Sequence, residues 1–426
     1  MAEMSPKLAN KFTCTGCMVC VDACTFSALK SKWDDDGHLY VECDNRKCTG
    51  CGKCEKICPV VGEFSYEREI STSVPYVAWA NEDAIRILSS SGGIFAPIAY
   101  HTINNGGYVA GAVMDGFSVK HILTNKSEDI VRMQGSKYQQ GDSTGVYNAV
   151  KEKLIEGKPV FFTGVPCQVA ALYAFLGKHG KFESLLTADL ACSGFPTSLL
   201  LKKFAQEKIG IDVENESQKI SVTYRSKNEG WRKSQKISVT YRSKDEDLRR
   251  SQNRPGKDYG INNFVYNGFC SGNTQRYSCS NCKFALLNRK ADLTLADFWS
   301  DKRFREQHYK GVSCVVVHSG KGQTMLTQAG LFIYYQAEWN DFIPYNKLIY
   351  NKLTFLKIHP ARVFMAWNFK HLSYPVLEKL YGKKIDKSDL IWLPYKLFNF
   401  IVFKIRSEKR KKYNSLFLKK LTNGKN

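Results

Sequence analysis

The sequence predicts an α+β / α/β chain in three parts: a small cysteine-framed unit at 1–65, a mixed α/β domain at 75–335, and a basic, mainly helical region at 340–426. Three observations carry this. Eight of the fifteen cysteines fall in two tandem runs before residue 60, strand and helix patterns alternate from residue 76 to 209, and basic charge accumulates after residue 347.

The cysteine runs come first in the chain. Cys14, Cys17, Cys20 and Cys24, then Cys48, Cys51, Cys54 and Cys58 followed by Pro59, each spell C-x-x-C-x-x-C-x-x-x-C. This is the run of a bacterial two-cluster ferredoxin. Three thiolates two residues apart wrap one iron–sulfur cube, while the fourth, at the start of the next helix, reaches the other cube. One [4Fe-4S] cluster is therefore assigned to Cys14, Cys17, Cys20 and Cys58, and the second to Cys48, Cys51, Cys54 and Cys24. Between the runs, Asp34-Asp35-Asp36-Gly37 makes a turn between the extended stretches Leu29–Trp33 and His38–Glu42. Thr25 stands where the second run has Pro59, and all eight ligands remain in place. Structural zinc is the competing use of Cys-x-x-Cys pairs, but two complete four-cysteine runs in tandem disfavour it, and a disulfide framework is disfavoured further.

Composition bounds the rest. A length of 426 residues with 43% hydrophobic residues suits two to three globular domains with a real core. Met1–Thr13 is polar and lacks an apolar h-region, which predicts no secretory signal. Fifteen cysteines without export predict a reducing cytoplasm, where thiols serve metals or redox chemistry.

The formal charge of +22 resembles a nucleic-acid signature, but its distribution argues otherwise. Met1–Ile70 holds nine Lys/Arg against eleven Asp/Glu, whereas Lys347–Asn426 holds nineteen against four. No recognition motif accompanies this charge, so no nucleic acid is expected. Within the tail, Ile391–Ile405 is aromatic and apolar and precedes Arg406, Lys409, Arg410, Lys411 and Lys412. It is too short, and too interrupted by Pro394 and Lys396, to span a bilayer. Such a segment suits peripheral contact with the inner membrane surface or, equally, a helical cap packed on the protein.

After a polar linker at Gly62–Pro75, the central pattern alternates. Strands are expected at Tyr76–Ala80, Gly107–Met114, Val119–Thr124, Pro159–Thr163 and Leu185–Leu190, and helices at Gly93–Asn104, Thr144–Glu156, Gln168–Leu176 and Ser198–Ile209. This rhythm predicts a mixed sheet flanked by helices. Ser217–Lys227 (SQKISVTYRSK) then recurs unchanged as Ser234–Lys244, with Asn228-Glu229-Gly230 as a turn, so a hairpin of twin strands is expected at 217–244.

A second set of chemical signals lies in this region. Cys167 and Cys192 each follow an apolar strand, and Cys279-Ser280-Asn281-Cys282 is a further C-x-x-C pair. Strand ends of an α/β sheet converge on one rim, which makes Cys167, Cys192, Cys279 and Cys282 candidates for a third [4Fe-4S] cluster; buried, inert cysteines are the alternative. Ser89, Ser90, Ser91, Gly92 and Gly93 precede a helix and offer small residues and free amides to phosphate. Gly135, Ser136, Lys137 and Tyr138 add a hydroxyl, a cation and a ring, as a flavin diphosphate and ring require. Serine-glycine loops also simply cap helices. No G-x-G-x-x-G fingerprint follows a strand, so a Rossmann nicotinamide site is not supported. His101, His121 and His179 carry no motif around them, and no catalytic acid is assigned.

Seven motifs occur in order: Ser89–Gly93, Gln134–Tyr138, Thr163–Gln168, Asp189–Gly194, Tyr224-Arg-Ser-Lys with Gly230-Trp231, Arg276–Cys282 and Ala296-Asp-Phe-Trp299. Together they resemble the coenzyme F(420) hydrogenase/dehydrogenase beta-subunit family preceded by a ferredoxin domain, over roughly residues 10–330. The resemblance implies a flavin, FAD, held by the central domain at the Ser89–Gly93 and Ser136–Tyr138 loops. It also implies iron–sulfur clusters wiring that flavin to an electron donor or acceptor, and it favours the third cluster. The substrate is left open, because family members include reducers of the deazaflavin coenzyme, formate- and glutamate-linked subunits, a chlorophyll reductase, and bacterial members in surface-polysaccharide settings. The expectation is a cytoplasmic iron–sulfur flavoprotein oxidoreductase. Its alternatives are a non-catalytic electron-transfer subunit docking to a separate enzyme and a zinc-stabilised basic binding protein.

Overall fold

The computed structural model describes residues 5–64, 73–177, 183–213, 218–227, 230–231, 235–243, 264–272, 274–285, 289–300, 303–342, 346 and 367–381. The expected membrane-surface segment Ile391–Ile405 and its basic cluster lie outside them, as does His179. Among the described residues no helix is long and apolar enough to cross a membrane.

The two cysteine runs fold alike. Each opens with Cys-Thr-Gly-Cys, and the third residue, Gly16 or Gly50, is left-handed with φ of 68° and 69°. The residue after the second cysteine is left-handed again, Met18 at 62° and Gly52 at 69°, and each launches a one-turn helix, α1 (Val19–Ala23) or α2 (Lys53–Ile57). Such backbone turns the loop inward so that successive cysteines share one side. Between them β1 (Leu29–Trp33) pairs antiparallel with β2 (Leu39–Cys43) in the register Leu29↔Cys43 to Trp33↔Leu39. Asp34 Oδ1 closes the turn by accepting from the Asp36 and His38 amides (3.1 and 2.9 Å).

The central domain is a nine-stranded mixed sheet. Its strands are β3 (Val74–Ala80), β4 (Tyr108–Asp115), β5 (Ser118–Thr124), β6 (Gly141–Asp142), β7 (Val160–Gly164) and β8 (Leu185–Leu190). The twin strands β9 (Gln218–Arg225) and β10 (Gln235–Ser243) form a separate two-stranded sheet, and β11 (Leu293–Asp297), β12 (Ser313–Val317) and β13 (Phe332–Gln336) return to the large one. The spatial order is β13-β3-β12-β11-β8-β7-β4-β5-β6, with β4, β7, β8 and β11 parallel. These parallel strands are near-continuous apolar runs because both faces are covered.

Two short helices, α3 (Asp83–Leu88) and α5 (Ser127–Met133), frame the loops that matter below. One face of the sheet carries α4 (Phe95–Asn104), whose Ile98 and Ala99 pack on Val109 and Phe161. The other carries α6 (Val146–Ile155) and α7 (Pro166–Leu176), whose Val150, Leu154, Val169 and Leu172 pack on Phe162 and Val160. The helix expected at Ser198–Ile209 is α-helical only to Lys203 and continues as a π-helical turn over Phe204–Ile209.

The N-terminal unit is bonded onto this sheet. Asp22 caps α6 by accepting from the Gly145, Tyr147 and Asn148 amides (2.6, 3.0 and 3.3 Å). Thr197 Oγ1 donates to the Asp36 carbonyl (2.6 Å), and Tyr147 OH donates to the Cys17 carbonyl (2.7 Å). Cys17 and Val19 join Tyr147, Phe162 and Cys167 in one core, so the two units share apolar as well as polar contacts.

Candidate functional site

The first run and Cys58 come together: the charge neighbours of Cys20 are Cys17, Cys14 and Cys58, with Cys54 of the second run also close by. Cys24, Cys48, Cys51 and Cys54 border a second hollow of about 240 Å³, with Cys51 exposed. Amides point at ligand sulfurs, Gly16 N–H at Cys14 Sγ (3.4 Å) and Ala28 N–H at Cys24 Sγ (3.3 Å). Such bonds stabilise thiolates and help set a cluster's potential.

The third set also converges. Cys167 follows the C-terminal end of β7 and Cys192 that of β8, while Cys279 and Cys282 bracket the end of a mostly buried 3₁₀ turn, Tyr277–Asn281. Cys282, Cys192, Cys17 and Cys279 are all charge neighbours of Cys167. Gly194 N–H donates to Cys192 Sγ (3.3 Å) and Phe195 N–H to Cys279 Sγ (3.4 Å). Gly194 sits at φ 109°, where a Cβ would lie 2.8 Å from the Cys279 Cβ, so only glycine lets the two cysteine loops approach. Burial pushes the thiols of Cys17 and Cys192 up to about 12 and those of Cys54 and Cys279 up to about 11. Thiolates in such surroundings need a metal to displace the proton. Among the described residues no three His, Cys, Asp or Glu groups converge on a point where a single metal ion would sit. A cube does not require that convergence, because each of its four irons takes its own thiolate.

The candidate phosphate and ring loops meet at one cavity of about 310 Å³ on the rim formed by the C-terminal ends of β7, β8 and β11. Ser89, Ser90, Ser91, Gly93, Ser136, Lys137 and Tyr138 line it, and so does Cys192. Gly92 stands behind them: a Cβ there would meet the Ala78 carbonyl at 2.6 Å, so the loop presses directly on β3. Ser90 Oγ accepts from Ser136 N–H (2.6 Å) and lies 2.8 Å from Ser136 Oγ, which joins the two loops. Tyr138 stacks on Phe269 with ring centres 4.7 Å apart.

The Lys137 ammonium donates to the carbonyls of Met133, Gln134 and Gly135 (2.9, 2.9 and 3.2 Å), closing the end of α5. Desolvation draws its pKa down to about 7, and an anion in the cavity would favour its charged form.

Sequence reading did not single out the residues that brace this cavity. Lys227 Nζ donates to the carbonyls of Arg86, Ser91 and Lys310 (2.5, 2.5 and 2.7 Å), and Trp231 Nε1 to that of Ser90 (3.0 Å). Trp231 stacks on Trp299 at 4.7 Å and 11°, and Arg225, also lining the cavity, pairs with Asp297 at 2.7 Å. Their only signal in the sequence is membership in the Tyr224–Lys227, Gly230-Trp231 and Ala296–Trp299 motifs. His121 lines the cavity too, stacked on Phe162.

Comparison with known proteins matches residues 13–61 to a 4Fe-4S dicluster domain and residues 157–338 to the C terminus of the coenzyme F420 hydrogenase/dehydrogenase beta subunit. An F(420)H(2) dehydrogenase subunit of Methanosarcina mazei is 24% identical over 225 residues. That match spans 50% of this chain and 63% of the relative. A chain of the F420-reducing [NiFe] hydrogenase complex from Methanosarcina barkeri is 16% identical, with a TM-score of 0.44, over 68% of this chain and 90% of its own.

Proposed function

We propose that this chain, in which a 4Fe-4S dicluster domain precedes the C-terminal domain of a coenzyme F420 hydrogenase/dehydrogenase beta subunit, is an iron–sulfur flavoprotein oxidoreductase. Cys24, Cys48, exposed Cys51 and Cys54 would hold an outer cluster, the set around Cys17 an inner one, and Cys167, Cys192, Cys279 and Cys282 a third, which together would supply a path for single electrons. The cavity that Cys192 borders would hold FAD. The observation carrying this reading is that cavity, where the Ser89–Gly93 loop, the Ser136–Tyr138 loop and a cysteine of the third set line a single space.

A bound flavin supplies the exchange between single-electron and two-electron transfer. The chain's own residues position it. The Ser89–Gly93 loop offers its amides to the diphosphate, Lys137 supplies a positive edge, and Tyr138 with its Phe269 stack presents an aromatic face. Arg225, anchored by Asp297, is a second cation at the cavity. The substrate class that fits this reading is a small redox molecule or a deazaflavin-type coenzyme, for which a bound flavin would supply two-electron chemistry.

Anaerobic purification with iron, sulfide and flavin counts tests this. About twelve irons, by four per cube, and one flavin per chain are expected. About eight irons without flavin would leave the second reading, a dicluster electron-transfer subunit that docks to a separate enzyme; that reading draws on the relative from Methanosarcina mazei, itself one component of a dehydrogenase.

A further inference from the structure

Arg276 is a fully buried guanidinium, 0% exposed, with no carboxylate paired to it among the described residues. Its Nε donates to the carbonyl of Cys14 (2.7 Å), and its Nη1 donates to the Leu39 carbonyl (2.6 Å) and lies 3.3 Å from Gln140 Oε1. The guanidinium lies 3.7 Å from the centre of the Tyr40 ring, and its Nη2, though buried, has no hydrogen-bond partner. On its other side, the Arg276 carbonyl accepts from the Cys279 amide (3.1 Å), and its charge favours the Cys279 thiolate. A buried charge without a counterion is costly, and proteins rarely keep one. The neighbouring Arg289 shows the ordinary solution: it also favours the thiolates of Cys192 and Cys282 but is neutralised by Asp189 at 3.0 Å, both side chains fully buried.

The surroundings are built to hold this one charge in place. Gly16, at φ 68°, leaves room for it: a Cβ there would come within 2.1 Å of Gln140 Nε2 and 3.1 Å of Arg276 Nη1. Side chains of the central domain thus fill the space against the first cysteine loop. Arg276 thus stands between two cysteine loops, bonded to the Cys14 carbonyl on one side and to the Cys279 amide on the other.

We infer that Arg276 is the shared counter-charge of the two inner iron–sulfur cubes, the one held by Cys14, Cys17, Cys20 and Cys58 and the one held by Cys167, Cys192, Cys279 and Cys282. A cube carried by four thiolates is already an anion, and each electron it accepts adds a further negative charge with no proton required. A fixed cation stabilises the reduced form and raises the potential. At the outer cube of Cys24, Cys48, Cys51 and Cys54, the cation lining the hollow among the described residues is Lys53, which is exposed and screened by solvent. Electrons therefore fall inward. Arg276 is a positioning and tuning residue, and the inference rests on the three-cube reading above.

The test is an EPR-monitored redox titration of the full chain, purified anaerobically, as wild type, Arg276→Gln and Arg276→Lys. In Arg276→Gln the reduced-to-oxidised ratio of both inner cubes at a fixed solution potential is expected to fall about tenfold, a downward shift of about 59 mV for one electron. The outer cube serves as the internal control and stays where it was, and Arg276→Lys keeps most of the wild-type value. Unchanged inner potentials in an iron-replete Arg276→Gln protein would overturn the inference. So would an equal shift of all three cubes, or loss of iron from both variants, which would make Arg276 a strut between the domains. A wild-type count of about eight irons would instead defeat the three-cube reading, and the Cys14 cube alone would then decide the role of Arg276 by the same shift.

Discussion

Single side chains separate ligands from bystanders. Cys43 lies beside Cys48 and Cys24, where burial and these neighbours raise its own thiol, yet it stands outside both four-cysteine runs. Cys43→Ser is therefore expected to keep its full iron content, whereas Cys48→Ser should lose one cube, about four irons; equal iron loss in both would reassign the second cluster. His121 gives a different kind of expectation. Burial draws its imidazole from an ordinary 6.5 down to about 4, so the folded chain holds it neutral. Below pH 6.5 the unfolded chain takes up a proton that the folded one refuses, which makes this contribution complete above 6.5 and lost as the pH falls toward 4. The thermal midpoint of wild type should fall more steeply over that window than that of His121→Gln. Parallel slopes would show that His121 titrates freely. Residues 13–61 match a 4Fe-4S dicluster domain, and the eight N-terminal cysteines are legible in the sequence as candidate ligands because their spacing is their chemistry. The bracing role of Lys227 is not, because three carbonyls from distant loops reach its ammonium only in the folded chain.

At the scale of elements, the duplicated strands make the sharpest contrast, since identical sequence meets different surroundings. β9 and β10 run antiparallel with Arg225 opposite Gln235 and Arg242 opposite Lys219. Antiparallel pairing places the Tyr-Arg-Ser-Lys of the first copy at the turn end of the hairpin, where Arg225 reaches Asp297 and the cavity. The same residues of the second copy fall at the opposite end. Arg225→Met is therefore expected to lower flavin retention at least several-fold, and Arg242→Met to leave it unchanged, as read by flavin absorbance after gel filtration. Equal losses would mean that the copies act together. The repeat and its hairpin could be read from the alternating pattern, but which copy serves the cavity depends on strand direction and register. Likewise the strands from Tyr76 to Leu190 stood out as apolar runs, whereas β11, β12 and β13 did not. Apart from the β11–β12 pair itself, their partners β8 and β3 lie more than a hundred residues earlier, and no local turn signal announces such contacts.

Across the whole molecule, the cluster-bearing unit and the sheet differ in what holds them together. The N-terminal unit has a small core of its own, built on Cys20, Leu29 and Cys54, with Leu8, Val21, Cys24, Val41 and Cys43 packed against it. Three of these, Cys20, Cys24 and Cys54, belong to the two four-cysteine runs, so under the proposed reading much of its interior would be cofactor. Units of this size bury too little apolar surface to offset chain entropy and depend on metal or other cross-links. The central sheet instead has helices on both faces and two extensive cores whose only cysteines among the described residues are Cys17, Cys167, Cys279 and Cys282. The ties between the two units include Asp22 at the start of α6, a helix cap of about 1 kcal/mol in typical hosts, and Arg276, which donates to the Cys14 and Leu39 carbonyls. Removing iron with chelator and oxidant should therefore unfold the N-terminal unit and release it from the sheet. Limited proteolysis of the apoprotein is expected to cut first within residues 5–64, while the fragment containing the nine-stranded sheet persists and keeps most of the far-ultraviolet circular dichroism. Asp22→Ala should hasten that cleavage in the apoprotein more than in the cluster-loaded chain, because without the clusters the cap carries a larger share of the tie, alongside the Thr197–Asp36 and Tyr147–Cys17 bonds. If the sheet fragment is digested at the same rate as the N-terminal unit, the clusters support the entire fold rather than its inlet.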